Sequence, residues 1–281
     1  MAFIQSAVGQ LGLGAFLAFL AAGVAFRFKL LTLSGAVAAF LLGTVTFGLG
    51  GLGWAVVLIA FFVTSSSLSL IFKKRKKSAE SMYSKGGRRD AAQVLANGGI
   101  AGLFVLLHIF LSNNSIPWLG FCAALAAANA DTWATELGVL NPGKPILILS
   151  GKTVEQGISG AVSLVGTLAS TAGAALIALI GWLMMPAELM IAPTSFEFYA
   201  LVTLGGLFGS LVDSMLGASF QAIYYCDSCH KETEKHPLHG CGAETHLIRG
   251  KKWMDNDWVN LACTISAPIL VIGLWYLFFA F

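Results

Sequence analysis

Apolar runs of about 20 residues alternate with short polar stretches along this chain. Eight runs stand out, at roughly 9–26, 32–48, 53–72, 94–111, 117–140, 158–184, 198–222 and 257–280. Such a run is long enough for a helix to cross the hydrocarbon core of a bilayer. The other spanning solution, a closed β-barrel, needs alternating polar and apolar residues, and these runs are unbroken. The pattern predicts an all-α, polytopic membrane protein with about eight transmembrane helices. Composition agrees: the 281 residues are 57% hydrophobic and only 11% charged, against roughly 25% charged in a soluble domain.

Charge adds an orientation. With the N-terminus outside, all 17 Lys and Arg fall in or beside four loops on one side. These hold Arg27 and Lys29; "KKRKK" (73–77) through Lys85, Arg88 and Arg89; Lys144 and Lys152; and Lys231 through Lys252. The opposite loops, "FGLGGLG", "SNNSIP" and "MMPAELMIAPTSFEF", hold none. The positive-inside rule makes the basic side cytoplasmic. "KKRKK" reads most simply as an anchor near anionic lipid, and the net charge of +3 reflects this loop bias rather than a nucleic-acid partner. Basic residues follow the first run instead of preceding it, as in a membrane span and not a cleaved leader. The expected location is a prokaryotic plasma membrane. Polar residues concentrate at 73–97, 129–157 and 223–257, all on the basic side. One integral domain is therefore expected over 1–281, with 1–72 as scaffold helices and 73–281 bearing a site that faces the cytoplasm.

The residues that carry chemistry are few. The fifth run ends in "ANADTWATELG", with Asn129, Asp131 and Glu136 in its cytoplasmic half. Five residues turn a helix by about 140°, so either the helix breaks near Asn129 or the two carboxylates serve different partners. The seventh run, "LGGLFGSLVDSMLGASFQ", brings Asp213 to a similar depth. An ionisable group at membrane depth is costly and marks a candidate site. Carboxylates from two helices suit Mg²⁺ with substrate phosphates; the plain alternatives are a helix that ends at Ala130 and an Asp hydrogen-bonded to its neighbour. In "SGKTVEQGISG", Thr153 is positioned to cap the sixth run, with Gln156 completing a capping box. The free N–H groups of that helix start, beside Lys152, attract an anion. "SKGGRRDAAQVLANGG" opens the fourth run with Arg88, Arg89, Asp90, Gln93 and Asn97, where the arginines serve either as phosphate grips or as anchors. "RGKKWMDNDWVNL" brings Asp255, Asn256, Asp257 and Asn260 into the last run, with Asp257 a possible plain N-cap.

Five cysteines are present. Cys122 and Cys263 lie within runs and read as packing residues. The loop at 223–252 holds Cys226, Cys229, His230, His236, His239, Cys241 and His246. Cys-x-x-Cys with a later His and Cys suits a structural zinc on Cys226, Cys229, His239 and Cys241. The alternative is a polar loop without metal.

"KGGRRDAAQVLANGG", "DTWATELGVL", "GAVSLVGTLAS", "GSLVDSMLGA" and "IRGKKWMDNDWVN" together resemble the domain-of-unknown-function-92, or transmembrane-protein-19, family over most of the chain. One branch of that family is the plant phytyl-phosphate kinase, which uses a nucleoside triphosphate. A more distant likeness runs to the CTP-using phosphatidate cytidylyltransferase and the dolichol and phytol kinases. The order Asp131, "GKTVEQGISG", "GSLVDSMLG" and a late Asp pair is similar to theirs. It departs from them by the extra Gln156 and by Ser210 in place of an Asp. The resemblance implies a CTP- or other NTP-dependent kinase converting a phytyl- or geranylgeranyl-phosphate-like lipid to its diphosphate. In that reading Asp131, Asp213, Asp255 and Asp257 hold Mg²⁺. Arg88, Arg89, Asn97, Asn129, Lys152, Thr153 and Asn256 hold phosphates, and Glu136 or Glu155 orients the acceptor or a second metal. The alternatives are a lipid cytidylyltransferase and a lipid or ion transporter.

Overall fold

In the computed structural model the described residues are 7–72, 87–189 and 195–279. The basic run at 73–77 lies outside them. Eight helices follow one another: α1 (Ala7–Arg27), α2 (Leu33–Val45), α3 (Leu52–Phe72), α4 (Ala91–Phe110), α5 (Ile116–Gly138), α6 (Leu164–Leu183), α7 (Ser195–Ser219) and α8 (Asn256–Phe279). A π turn at Thr46–Gly50 extends α2 to an 18-residue apolar stretch. Seven of the eight helices are long and apolar enough to cross a membrane, α5 being the exception. The protein is thus a multi-pass α-helical membrane protein.

The exception is explained by position. The helix α5 packs against α3, α4, α6, α7 and α8, and every residue from Ile116 to Ala130 is buried. Lipid never reaches this segment, so it can be built from alanine instead of leucine. Small residues let its neighbours close in, as in other membrane bundles. A Cβ at Gly206 of α7 would lie 2.6 Å from the Ala174 Cβ and 3.0 Å from the Ala126 carbonyl carbon. One at Gly209 would lie 2.6 Å from the Ala127 Cβ. Outside this centre, Phe16, Phe19, Leu41 and Leu168 point outward, as residues facing lipid should.

The two ends of the bundle differ. At one end Trp54 of α3 packs against Trp118 and Phe121 of α5 at ring-centroid distances of 4.9 and 4.8 Å, all three rings being buried. At the other end lie the C-termini of α3, α5 and α7, the N-termini of α4, α6 and α8, and two small sheets. Strands β1 (Ile146–Leu147) and β2 (Ala161–Val162) pair antiparallel. A three-stranded sheet in the order β4-β3-β5 is formed by β3 (Ile223–Cys226), β4 (Lys231–Thr233) and β5 (His246–Arg249).

The sixth helix begins later than its apolar run implied. Ser163, not Thr153, is its cap, accepting from the Gly166 N–H at 3.1 Å. The stretch before it is held as a loop instead. Thr153 pairs with Ile146, and Gly160, at φ +83°, brings the backbone onto α7 where a Cβ would lie 2.3 Å from the Ala218 nitrogen.

Candidate functional site

A cavity of about 620 Å³ opens at the sheet-bearing end of the bundle. The last turns of α5 contribute Asp131, Thr132, Thr135 and Glu136. Ser210, Asp213 and Ser214 come from α7, and Asn256 and Asn260 from the start of α8. Arg88, Arg89, Gln93 and Asn97 come from the entry to α4. The wall reaches back into the first 72 residues, because Ser66 and Ser69 of α3 also line it. That helix is more than scaffold.

Both arginines stand in front of α4 because Asp90 and Gln93 form a reciprocal capping box there, at 3.0 and 3.3 Å. The Arg89 backbone is then clamped to the α1–α2 turn. Its N–H donates to the Leu30 carbonyl and its carbonyl accepts from the Thr32 N–H, each at 2.9 Å. The two side chains part company at this point. Arg88 is exposed at the cavity mouth. Arg89 turns inward, donating to Ser65 Oγ at 3.2 Å, with Glu136 close enough to interact electrostatically. Burial pulls its guanidinium below its ordinary value and Glu136 opposes that shift. Arginine keeps its proton regardless. Glu136, buried, accepts from Ser69 Oγ at 2.7 Å.

The second carboxylate group is different in kind. Helix α5 runs unbroken through Asn129, so the roughly 140° between Asp131 and Glu136 is real. Asp131 is turned toward α7, where it interacts electrostatically with Asp213. A third acid, Glu234, acts on Asp213 as well and also lines the cavity. The Asp213 Oδ2 is fully buried with no hydrogen-bond partner among the described residues. Like charges gathered in a low-dielectric pocket repel unless one is protonated or a cation sits among them. An oxygen atom left without a donor, beside two further carboxylates, fits a hard divalent cation.

Other residues expected at the site are placed elsewhere. Asn129 is buried within the bundle, where it donates to the Gly173 carbonyl at 2.8 Å and accepts from Thr64 Oγ at 3.0 Å. It ties α5 to α6 and α3 instead of meeting phosphate. Lys152 and Thr153 are exposed and lie outside the cavity wall, while Glu155 forms an exposed ion pair with Lys144. Asp255 caps α8, accepting from the Asp257 and Trp258 N–H groups at 3.0 and 3.2 Å. Neither Asp255 nor Asp257 lines the cavity, whereas Asn256 does. Glu234 escaped the sequence reading because "KETEKH" is a charged loop with no periodicity to single out one acid.

Beside the cavity, the three-stranded sheet gathers Cys226, Cys229, His239 and Cys241, whose ligand atoms all lie within 4.8 Å of one another. The His239 ring, the largest influence, lowers the Cys241 thiol to about 6.

Fold and site define a multi-pass membrane protein with an acid-lined polar cavity at one end and a Cys/His knuckle beside it. The chain belongs to the integral membrane protein DUF92 family, whose profile matches residues 16–268. Protein PGR of Arabidopsis thaliana is 31% identical over 262 residues, covering 87% of this chain and 89% of that protein. An uncharacterized membrane protein of Methanocaldococcus jannaschii is 35% identical over 190 residues, 66% of this chain and 73% of its own length. Protein VTE6, chloroplastic, of Arabidopsis thaliana is 27% identical over 246 residues, 86% of this chain and 64% of its own length. No solved structure matches the chain.

Proposed function

We propose that the protein is a membrane-embedded phosphotransferase that uses a nucleoside triphosphate, CTP first among them, to convert an isoprenyl monophosphate into its diphosphate. The observation that carries this reading is the Asp131–Asp213 pair with its unpartnered Asp213 Oδ2, inside a cavity that meets the bundle's polar end. The family resemblance to phytyl-phosphate kinase supports the substrate class. A lipid tail stays in the bilayer while its phosphate meets the nucleotide at the interface.

Phosphoryl transfer asks the protein for alignment and charge neutralisation more than for covalent chemistry. A Mg²⁺ ion, when bound, supplies that neutralisation, and Asp131 and Asp213 are the residues to hold it. Arg88 at the mouth and the capped start of α6 bind phosphate oxygens, while Asn97, Asn256 and Asn260 orient them. An oxygen of the lipid phosphate attacks the γ-phosphorus. The bond to the β–γ bridging oxygen breaks, and the nucleoside diphosphate leaves with that electron pair. The acceptor is already an anion, so no general base is required. Arg89 and Glu136 hold the wall between α3, α4 and α5.

A transporter needs access from both faces. The buried Trp54–Trp118–Phe121 cluster fills the far end, which favours an enzyme working from one side. By the positive-inside rule that side is the cytoplasm. The test is purified protein in detergent with Mg²⁺, each of four labelled nucleoside triphosphates and a panel of prenyl monophosphates. The expected products are a prenyl diphosphate and a nucleoside diphosphate. Release of inorganic pyrophosphate with a CDP-lipid would replace kinase by cytidylyltransferase, and no turnover with any lipid would overturn both.

A further inference from the structure

We propose that Cys226, Cys229, His239 and Cys241 hold a structural zinc ion, and that this ion sets Glu234 into the acidic cavity as the third carboxylate of the group formed with Asp131 and Asp213. The zinc half stands on the knuckle alone; the Glu234 half rests on the reading of the cavity as a cation site.

The spacing of the ligand atoms comes first. Cys226 Sγ lies 3.6 Å from Cys241 Sγ, and Cys241 Sγ lies 3.3 Å from His239 Nδ1. A disulfide needs its sulfurs about 2.05 Å apart. Tetrahedral zinc, with Zn–S near 2.3 Å and Zn–N near 2.0–2.1 Å, sets neighbouring ligand atoms about 3.5–3.8 Å apart. These two separations are too long for a bond and near the spacing of ligands around one ion, and the four atoms together lie within 4.8 Å of one another. All four are side chains, so no position is left for substrate, as in structural zinc sites.

Local structure delivers the ligands in two turns. Cys226 ends β3, and Cys229 follows in the turn to β4, where Cys226 pairs with Lys231. His239 and Cys241 sit in a second turn closed by the His239 N–H to the Ala243 carbonyl, at 2.9 Å. A sheet of this size cannot bury enough apolar surface to hold itself together, and domains this small are commonly completed by a metal.

The stretch between the two turns carries Glu234. Ligands at Cys229 and His239 pin it on both sides. Gln221 Nε2 donates to Glu234 Oε1 at 2.9 Å, and Gln221 is itself bonded to Ser159 Oγ. The sheet is docked to the bundle by Arg249, which donates to the Ser159 and Gly217 carbonyls at 3.3 Å. Gly250, at φ +83°, completes the docking, since a Cβ there would lie 2.0 Å from the Gln221 carbonyl oxygen. An ion in the knuckle thus reaches the Asp213 environment through a short rigid segment.

The experiment measures metal before activity. Protein purified without chelator should contain about one zinc per chain. Cys226→Ser with Cys229→Ser should remove it, and Cys263→Ala should not. Cobalt exchanged into the wild-type protein should give the visible bands of a tetrahedral thiolate site, which decides the matter if the double variant fails to fold. Absence of both zinc and the cobalt bands would overturn the knuckle assignment. Glu234→Gln should keep the zinc and lose most of the rise in melting temperature that Mg²⁺ produces. An unchanged rise would remove Glu234 from the cavity's cation site, and the absence of any such rise in the wild type would also sink that half. These readouts need no turnover, so a failure of the kinase reading would be seen separately in the prenyl-phosphate assay.

Discussion

The two arginines show how far one residue's position changes its meaning. Arg89 is committed to Ser65 and Ser66 and acts electrostatically on Glu136, so removing it strips buried hydrogen bonds from α3 and takes one positive charge from beside a buried carboxylate. Stripping a buried polar site of its hydrogen bonds costs about 1–3 kcal/mol. Arg89→Ala should therefore lower thermal stability markedly. Arg88→Ala, at the exposed mouth, should change stability by less than about 0.5 kcal/mol and raise the KM for the phosphate substrates. The pair of melting curves and KM values checks both. Asp213→Asn keeps the shape and removes a repelling charge, so its melting temperature should hold or rise. Its kcat should fall by roughly a hundredfold or more, since the lost interaction belongs to the transition state. Wild-type activity in that variant would reduce Asp213 to a packing residue.

Among the elements, the start of α6 was the place where sequence and structure parted. "SGKTVEQ" has the spacing of a capping box, and Ser163 ten residues later has the cap itself. Short-range spacing alone cannot decide between them. The loop's pairing of Thr153 with Ile146, and the close approach of Gly160 to α7, decide it. Ser163→Ala should cost about 1 kcal/mol of stability, and Thr153→Ala should be near neutral in the same melting assay. The contact of α7 with α5 is a second test. Gly206→Ala would press a methyl group against Ala174 and Ala126. Overpacking of this kind costs about 1–3 kcal/mol. It should also depress activity, because α5 and α7 carry the two halves of the Asp131–Asp213 pair.

For the molecule as a whole, the described basic residues gather at the end that holds the cavity and both sheets, opposite the aromatic cluster. Cysteines introduced at the exposed Ser150 and Asn113 probe the two ends. In intact cells an impermeant thiol reagent should reach Asn113→Cys and spare Ser150→Cys. The opposite pattern would place the cavity outside the cell and remove cytosolic nucleotide as its donor.

The number of helices, their approximate limits and the crowding of polar groups at one end were all legible in the sequence. Each follows from hydropathy and charge, which are properties of the chain read locally. Asp131 and Asp213 were legible for the same reason, since an acid inside an apolar run stands out against its neighbours. Cys226, Cys229, His239 and Cys241 could be picked out as a group because cysteine and histidine have few other reasons to cluster, and the fold brings them together. Partnership was not legible. Asn129 and Asp131 are two residues apart, yet one faces Gly173 inside the bundle and the other faces the cavity. Glu234, one acid in a charged loop, was singled out only when the sheet folded back onto Gln221. Such choices depend on how closely helices approach across alanine and glycine contacts between residues far apart in the chain. That distance is set by tertiary packing, and no local pattern encodes it.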